Sequence, residues 1–505
     1  MLPRRSFLKS ALGAGAVAGL GDLGFLAQLR PVSAAEAALP PRAVQLHPEI
    51  EPLVRLLEET PRDRVLEEVA ARLKNGLTYR ELLAALLLAG VRNIQPRPVG
   101  FKFHAVLVVN SAHLASLSSP DGDRWLPIFW AIDQFKSSQA ADVREGDWTL
   151  GPVDEAAVPP SHRAKEAFLT AMDNWDEAGA DVAVVGLART AGAHEIFELF
   201  CRYGVRDFRE IGHKAIYIAN SFRTLETIGW HHAEPVLRSL AYAVLDRDRD
   251  RDKGNPAKLD LPADRPFRGN LENAKAIQDH WLQGKPDPGA SLELLQAVRQ
   301  GSAADLGRLT VQLLNRGVAP PSIFDGIYNS AGELLMQAPG ILSLHASTFT
   351  NAVHYAWQHA RDEETRKLLL LQAASFLPLF RGESKDKGIR IDQLQPLEPK
   401  ETAADPVQEI FAEVSQDKLQ AARKILTYLQ HHPDPRPLAQ AARRLIFLKG
   451  RDSHDYKFSS AVLEDFHHLT PPWRDRFLAA SVFNLKGSGD AESGLVKRTR
   501  AALGA

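Results

Sequence analysis

Apolar residues recur at three- and four-residue spacing along most of this chain, which is the period of an amphipathic helix. Thr78-Tyr79-Arg80-Glu81 has the form of a capping box, and Gly90 stands where a glycine that follows a helix is common. Two-residue alternation is scarce, and the repeat described below favours a helix even for Phe101–Val109. The pattern predicts an all-α fold. The clearest predicted helices are Glu51–Leu73, Tyr79–Ala89, Ser161–Asn174, Glu195–Tyr203, Asp305–Asn315 and Pro406–Leu429.

A set of motifs occurs twice along the chain, in the same order. A His-Ala pair is followed at fixed spacing by an asparagine and a second histidine, and farther on a lysine precedes a tryptophan at fixed spacing. One match could arise by chance, but several in one order indicate an internal duplication. The first copy is His104-Ala105, Asn110, His113, Lys214 and Trp230, and the second is His345-Ala346, Asn351, His354, Lys457 and Trp473.

The duplication predicts two similar helical halves, residues 38–245 and 291–505, packed about a pseudo-twofold axis. The segment between them, 246–290, begins with alternating charges at Asp246–Lys253 and continues with a Pro/Gly-rich stretch. Such a composition predicts a solvated linker. Packing about a twofold axis would bring equivalent histidines of the two halves close together.

The N-terminus has the features of a twin-arginine export signal, predicted to cover residues 1–37. Arg4-Arg5 precede Phe7-Leu8-Lys9, and a weakly apolar Ala/Gly-rich run follows. Small residues at Val32-Ser33-Ala34 and Ala35-Glu36-Ala37 offer cleavage sites. The predicted partner is the twin-arginine export machinery, which carries folded cargo, and the predicted location is the periplasm. No later segment is long and apolar enough for a stable membrane span after cleavage.

Composition excludes several classes of function. Lys and Arg number 61 against 62 Asp and Glu, and without a long basic run nucleic-acid binding is disfavoured. Cys201 is the single cysteine, which argues against a disulfide framework and against any thiolate-bound cofactor. The chain has no glycine-rich phosphate loop, and no Gly-x-Ser-x-Gly motif, so neither a nucleotide cofactor nor serine-hydrolase chemistry is predicted.

The 17 histidines supply the candidate chemistry. His104 and His345 are equivalent in the repeat, and neutral imidazole is the commonest metal ligand in proteins. His454 and Lys457 share one helix face. Lys457 can bind a metal only after it loses its proton or takes up CO₂ to form a carbamate; the alternative for this pair is a surface ion pair with a capping histidine. Of the adjacent His231 and His232, at most one can be a ligand, because neighbouring side chains diverge.

Several of these motifs resemble those of the questin oxidase-like proteins. The matching segments are His104, Gly229-Trp230-His231-His232 with Tyr242-Ala243, His345-Ala346-Ser347-Thr348, and His454 to Lys457. The resemblance implies an all-helical enzyme that holds a mononuclear non-haem iron with several histidines and a carboxylated lysine. It implies that Lys457 is the carbamylated ligand and His454 its partner, with His345, His104 and one of His213, His231 or His232 completing the shell. Members of that family cleave aromatic polyketide rings oxidatively, but the export signal argues against carrying the substrate over.

Two functions are consistent with these observations. The first is an exported metal-dependent oxidoreductase acting on a small-molecule substrate, with iron or another divalent transition metal. Its predicted ligands are His104, His213, His232, His345, His454 and Lys457. The alternative is a non-catalytic helical binding protein whose histidines are scattered hydrogen-bonding groups. The metal hypothesis requires at least three ring nitrogens within about 4–5 Å of a common point.

Overall fold

The computed structural model describes residues 43–383, 386–398 and 405–504, so the predicted export signal lies outside the described residues. The described part is helical and has no β-strand; Lys285 and Val318 form one isolated bridge. The all-α prediction is therefore confirmed. The α-helices are α1 (Glu51–Glu59), α2 (Val65–Lys74), α3 (Tyr79–Asn93), α4 (His104–Leu117), α5 (Leu126–Glu145), α6 (Ser161–Asp173), α7 (Glu177–Thr190), α8 (Ala193–Gly204), α9 (His213–Ile228), α10 (Ala233–Val244), α11 (Arg265–Ala276), α12 (Pro288–Gln300), α13 (Ala303–Asn315), α14 (Pro320–Gln337), α15 (Ile341–His359), α16 (Glu363–Arg381), α17 (Pro406–Val414), α18 (Lys418–His431), α19 (Arg436–Lys449), α20 (Ser453–Asp465), α21 (Pro471–Ser481) and α22 (Gly494–Leu503).

Two predicted helices are each divided in two. The expected helix Glu51–Leu73 is interrupted between α1 and α2, where Pro61 lacks the amide that a continuing helix needs. The expected helix Pro406–Leu429 is interrupted between α17 and α18. There the side chain of Asp417 accepts hydrogen bonds from the amides of Leu419 and Gln420 and so starts a new helix. In both places a local start or stop signal overrides a continuous apolar pattern.

The predicted capping box before α3 is present, with reciprocal hydrogen bonds between Thr78 and Glu81. Gly90 does not end this helix, as its position suggested, but lies inside it. A Cβ atom at Gly90 would stand 2.8 Å from Cγ2 of Val106 on α4. The glycine therefore permits close packing of α3 on α4, the helix that begins with His104.

Four helices form the centre of the molecule. Helix α4 contacts α9, α9 contacts α15, α15 contacts α20, and α20 contacts α4, which closes a ring. Helices α4 and α9 belong to the predicted first half, and α15 and α20 to the second. Helix α4 is apolar around most of its circumference, as expected of a helix enclosed on all sides. Helices α3 and α5 cover α4 from outside, and α16 covers α15.

The segment 246–290, which the sequence predicts to be a solvated linker, packs against other parts of the described chain. Asp250 and Asp264 form ion pairs with Arg209 at 2.9 and 2.6 Å, and Trp281 is buried. Helix α11 in this segment contacts α13 and α16. Alternating charge suggested solvation, but Asp250 and Asp264 pair with an arginine outside the segment.

No helix in the described ranges has the length and apolarity that a membrane crossing requires.

Candidate metal centre

His104 is the first residue of α4 and is buried. Its Nδ1 lies 2.8 Å from the carbonyl oxygen of Phe101. A carbonyl oxygen only accepts hydrogen bonds, so Nδ1 carries the proton and donates it. The same bond orients the ring and leaves Nε2 unprotonated and directed into the four-helix ring.

His213 repeats this arrangement as the first residue of α9. Its Nδ1 donates to the carbonyl oxygen of Glu210 at 2.9 Å. Gly212 before it has a φ of +83°, and a Cβ atom there would lie 2.7 Å from Cδ2 of Phe349 on α15. The glycine thus permits the tight turn that sets His213 against the second half.

The second half contributes His345 and His454. His345 lies in the second turn of α15, and its Nδ1 donates to the carbonyl oxygen of Ile341 at 2.6 Å. His454 is the second residue of α20, and its Nδ1 lies 3.4 Å from Oδ1 of Asp452, the residue that caps this helix. Each Nδ1 therefore faces an oxygen, as outer partners of metal-bound histidines commonly do.

The four Nε2 atoms face a shared space. One ligand atom from each of His104, His345 and His454 lies within 4.8 Å of the other two. Nε2 of His213 is 3.0 Å from Nε2 of His104, and the rings of His213 and His345 have centroids 4.3 Å apart. The requirement for three ring nitrogens near a common point is met by His104, His345 and His454.

Lys457 completes the cluster. It follows His454 by one turn on the same face of α20 and is buried, and among the described residues its Nζ has no hydrogen-bond partner. Burial lowers the pKa of Lys457 to about 7. Its amine is thus neutral in a large fraction of molecules near neutral pH, the form that can bind a metal or react with CO₂.

The electrostatics of the cluster fit a cation. Burial, followed by the charge of Lys457, lowers the pKa values of His104, His213 and His345 well below their usual range, so these rings are neutral. With both Nδ1 protons engaged, the Nε2 lone pairs of His104 and His213 oppose each other at 3.0 Å. Nε2 of His345 and of His454 are buried without a hydrogen-bond partner in the described part of the chain. One metal ion could satisfy several of these lone pairs at once.

His232 is not part of this cluster, contrary to its place among the predicted ligands. It lies in a short 3-10 helix, Trp230–His232, beyond the C-terminal end of α9. His213 is the first residue of α9, so His232 and His213 are separated by roughly 24 Å along the axis of α9. The ring of His232 instead packs near those of His231 and His47, at 3.9 and 5.8 Å between centroids.

Two features of the site escaped sequence reasoning. The backbone of Gly100 forms one wall, and a Cβ atom there would lie 3.4 Å from Cε1 of His213 and 3.6 Å from Cε1 of His104. The carbonyl groups of Phe101 and Glu210 each hold a histidine three residues later. The sequence feature that could indicate these bonds is a histidine at the first position of a helix, as at His104 and His213, because the preceding turn can supply such a carbonyl.

Comparisons with known proteins assign no family to this chain. Its sequence matches no protein-family model and no curated protein, and its structure matches no solved structure. The chemistry of the centre is consequently argued from its own residues.

Proposed function

We propose that this protein is a metal-dependent oxidoreductase whose metal is held by His104, His213, His345 and His454 between the two halves. The observation that supports this proposal most strongly is the set of four imidazoles, in which each Nδ1 faces an oxygen and each Nε2 is directed toward the centre of the cluster. Structural histidines usually satisfy both nitrogens, whereas here the inward nitrogens oppose one another or lack partners.

The ligand chemistry favours iron or another divalent transition metal. Imidazole suits Fe, Zn, Cu and Ni, whereas Mg and Ca prefer oxygen ligands. Cys201 is buried, burial raises the pKa of its thiol well above the usual value, and the described metal cluster does not include it. When bound, a transition metal with open coordination positions supplies Lewis acidity and one-electron chemistry toward a small-molecule substrate.

Lys457 is proposed as the fifth member of the centre. Its buried, unpartnered Nζ is suited to nucleophilic attack on CO₂, which forms a C–N bond and releases one proton. The resulting carbamate carries a negative charge and resembles a carboxylate ligand. This assignment agrees with the carboxylated lysine that the resemblance to the questin oxidase-like proteins implies.

The duplication and the export route belong to the same proposal. Equivalent motifs lie on α4 and α15, and both the His213-Lys214 pair and Lys457 lie on helices of the central ring, α9 and α20. This placement supports two duplicated halves related by a pseudo-twofold axis. A centre enclosed between two halves must be filled as the chain folds, which would explain export in the folded state by the twin-arginine route to the periplasm.

The alternative, a non-catalytic helical binding protein, predicts a correctly folded protein without metal. The deciding measurement is elemental analysis by inductively coupled plasma mass spectrometry on protein purified after export from its native host. We expect about one transition-metal ion per chain. A folded sample in which the metal is absent, and to which Fe²⁺ does not bind on titration, contradicts the proposal.

The role of Lys457 is tested separately. Growth with ¹³C-labelled bicarbonate should give a carbamate carbon signal in the NMR spectrum that is lost in Lys457→Gln. The variant should also hold less metal. Unchanged metal content in Lys457→Gln would remove this residue from the centre while leaving the four histidines in place.

A further inference from the structure

A cavity of about 260 Å³ lies between the start of α19 and the end of α20. Its apolar wall includes Leu463 of α20, Phe466 directly after that helix, and Leu478 of α21. Leu463 is displaced from His454 by roughly 13 Å along the axis of α20. The cavity is therefore separate from the candidate metal centre, and a ligand could occupy it whether or not a metal is bound there.

Arg443 places a cation in this cavity without a counter-charge. Among the described residues, its guanidinium has no hydrogen bond, ion pair or aromatic ring contact, and the side chain is partly shielded from water. Burial lowers the pKa of Arg443, and no neighbouring carboxylate opposes that shift. The buried Arg238, by contrast, donates two hydrogen bonds to Asp181.

The described residues that line the cavity beside Arg443 include hydrogen-bond donors and no carboxylate. Arg436 lines the cavity and pairs with Asp434, an exposed residue. His467 and Gln440 line it as well. A cation that is partly shielded from water and has no partner loses part of its hydration, and a bound anion would offset that loss.

We propose that this cavity binds a small organic monoanion with an apolar body. Its carboxylate would accept hydrogen bonds from Arg443, and its body would lie against Leu463, Phe466 and Leu478. The volume is slightly below the range of about 300–1,000 Å³ that is common for ligand pockets. It therefore suits a single-ring or short-chain carboxylate and excludes a dinucleotide.

Isothermal titration of the full chain with sodium benzoate tests this site. We expect saturable binding, with benzyl alcohol and inorganic phosphate both at least about tenfold weaker, because one lacks the charge and the other the apolar body. Arg443→Met should weaken benzoate binding by about 10- to 100-fold, as expected for a hydrogen bond to a charged group.

Arg444→Met is the matched control. Arg444 is the next residue of the same helix, is exposed and does not line the cavity, so the variant has the same net charge and should bind benzoate like the parent. Equal weakening in both variants, or no saturable benzoate binding by the parent chain, would overturn the proposal. Because Arg443 has no partner, Arg443→Met should melt no lower than the parent. If it fails to fold, the benzoate and benzyl alcohol titrations of the parent decide alone.

Discussion

Two buried lysines differ in a way that separates structure from chemistry. Lys214 follows His213 on α9, and Lys457 follows His454 on α20. Nζ of Lys214 donates to Oδ2 of Asp207 at 2.8 Å and to the carbonyl oxygen of Asp246 at 2.7 Å. Nζ of Lys457 has no such partner among the described residues. The same residue type is thus hydrogen-bonded to a carboxylate on α9 and without a partner on α20.

The difference originates in the neighbouring acids. Burial would raise the pKa of Asp207, but the charges of Lys214 and Arg209 outweigh it and lower that pKa. The carboxylate therefore stays ionised and pairs with Lys214, although burial still lowers the pKa of Lys214 below its usual value. The charge of Asp452 raises the pKa of Lys457, but this effect is smaller than the lowering caused by burial. A buried lysine that lacks an ion pair is a candidate for function, whereas a paired one is part of the fold.

Replacing each lysine by methionine should give the largest effect. Lys214→Met leaves the buried carboxylate of Asp207 without its main partner and should lower the free energy of unfolding by about 3–5 kcal/mol. Lys457→Met removes an unpartnered amine and should change it by less than about 0.5 kcal/mol. Urea denaturation of chelator-treated protein measures both, because bound metal would otherwise stabilise the parent. An equal decrease in the free energy of unfolding in both variants would show that Lys457 has a stabilising partner.

The next effect concerns metal affinity and separates His213 from its neighbour Lys214. His213→Ala should weaken metal binding by more than about 100-fold, beyond what the loss of an outer partner costs. It leaves the ion pair of Lys214 and Asp207 in place. His232→Ala, at the far end of the same helix, is the control and should bind metal like the parent. Competition with a chromophoric chelator gives the affinities; a loss in His232→Ala comparable to that in His213→Ala would contradict the placement of the centre.

Much of this candidate site can be predicted from the sequence. The repeat and helical spacing indicate His104, His345, His454 and Lys457, and the structure places ligand atoms of the three histidines within 4.8 Å of one another. His213 is one of three alternatives that the sequence leaves open. Its selection over His231 and His232 depends on which end of α9 reaches the ring, a fact of tertiary packing that local spacing does not contain.

Contacts between residues distant in sequence explain what local patterns do not predict. The alternating charges of 246–290 predict solvation, but Asp250 and Asp264 pair with Arg209, which lies outside the segment. Gly90 was judged by its position near a helix end, but its role is to admit Val106 of a neighbouring helix. Partners distant in sequence decided each outcome, and composition within a window does not identify them.

A smaller effect on metal affinity is expected from replacing Asp452, whose carboxylate lies near Nδ1 of His454. Asp452→Asn preserves a good helix cap but removes the charge near Nδ1 of His454, so metal affinity should fall by about tenfold with little loss of stability. Asp417→Asn makes the same change at the cap of α18, which carries none of the candidate ligands, and should leave metal affinity unchanged. Equal affinity in both variants would show that the carboxylate does not support His454.

The smallest effect contrasts Asp207 with Asp465, a buried acid on the same helix as Lys457. Oδ1 of Asp465 accepts a hydrogen bond from Nδ2 of Asn351, and burial raises the pKa of Asp465 well above its usual range. The folded state therefore binds this proton more tightly than the unfolded state, and its contribution to stability is lost as pH rises above the unfolded value of about 3.9. Asp465→Asn should flatten this fall, by at most about 1.4 kcal/mol per pH unit. The pH dependence of the contribution from Asp207 has the opposite sign, because its lowered pKa makes that contribution to stability disappear as pH falls through the acid range.

Unfolding free energies of the parent and of Asp465→Asn, measured from about pH 5 to pH 8, should converge toward the acid end. A constant difference across that range would mean that Asp465 is already ionised in the folded protein.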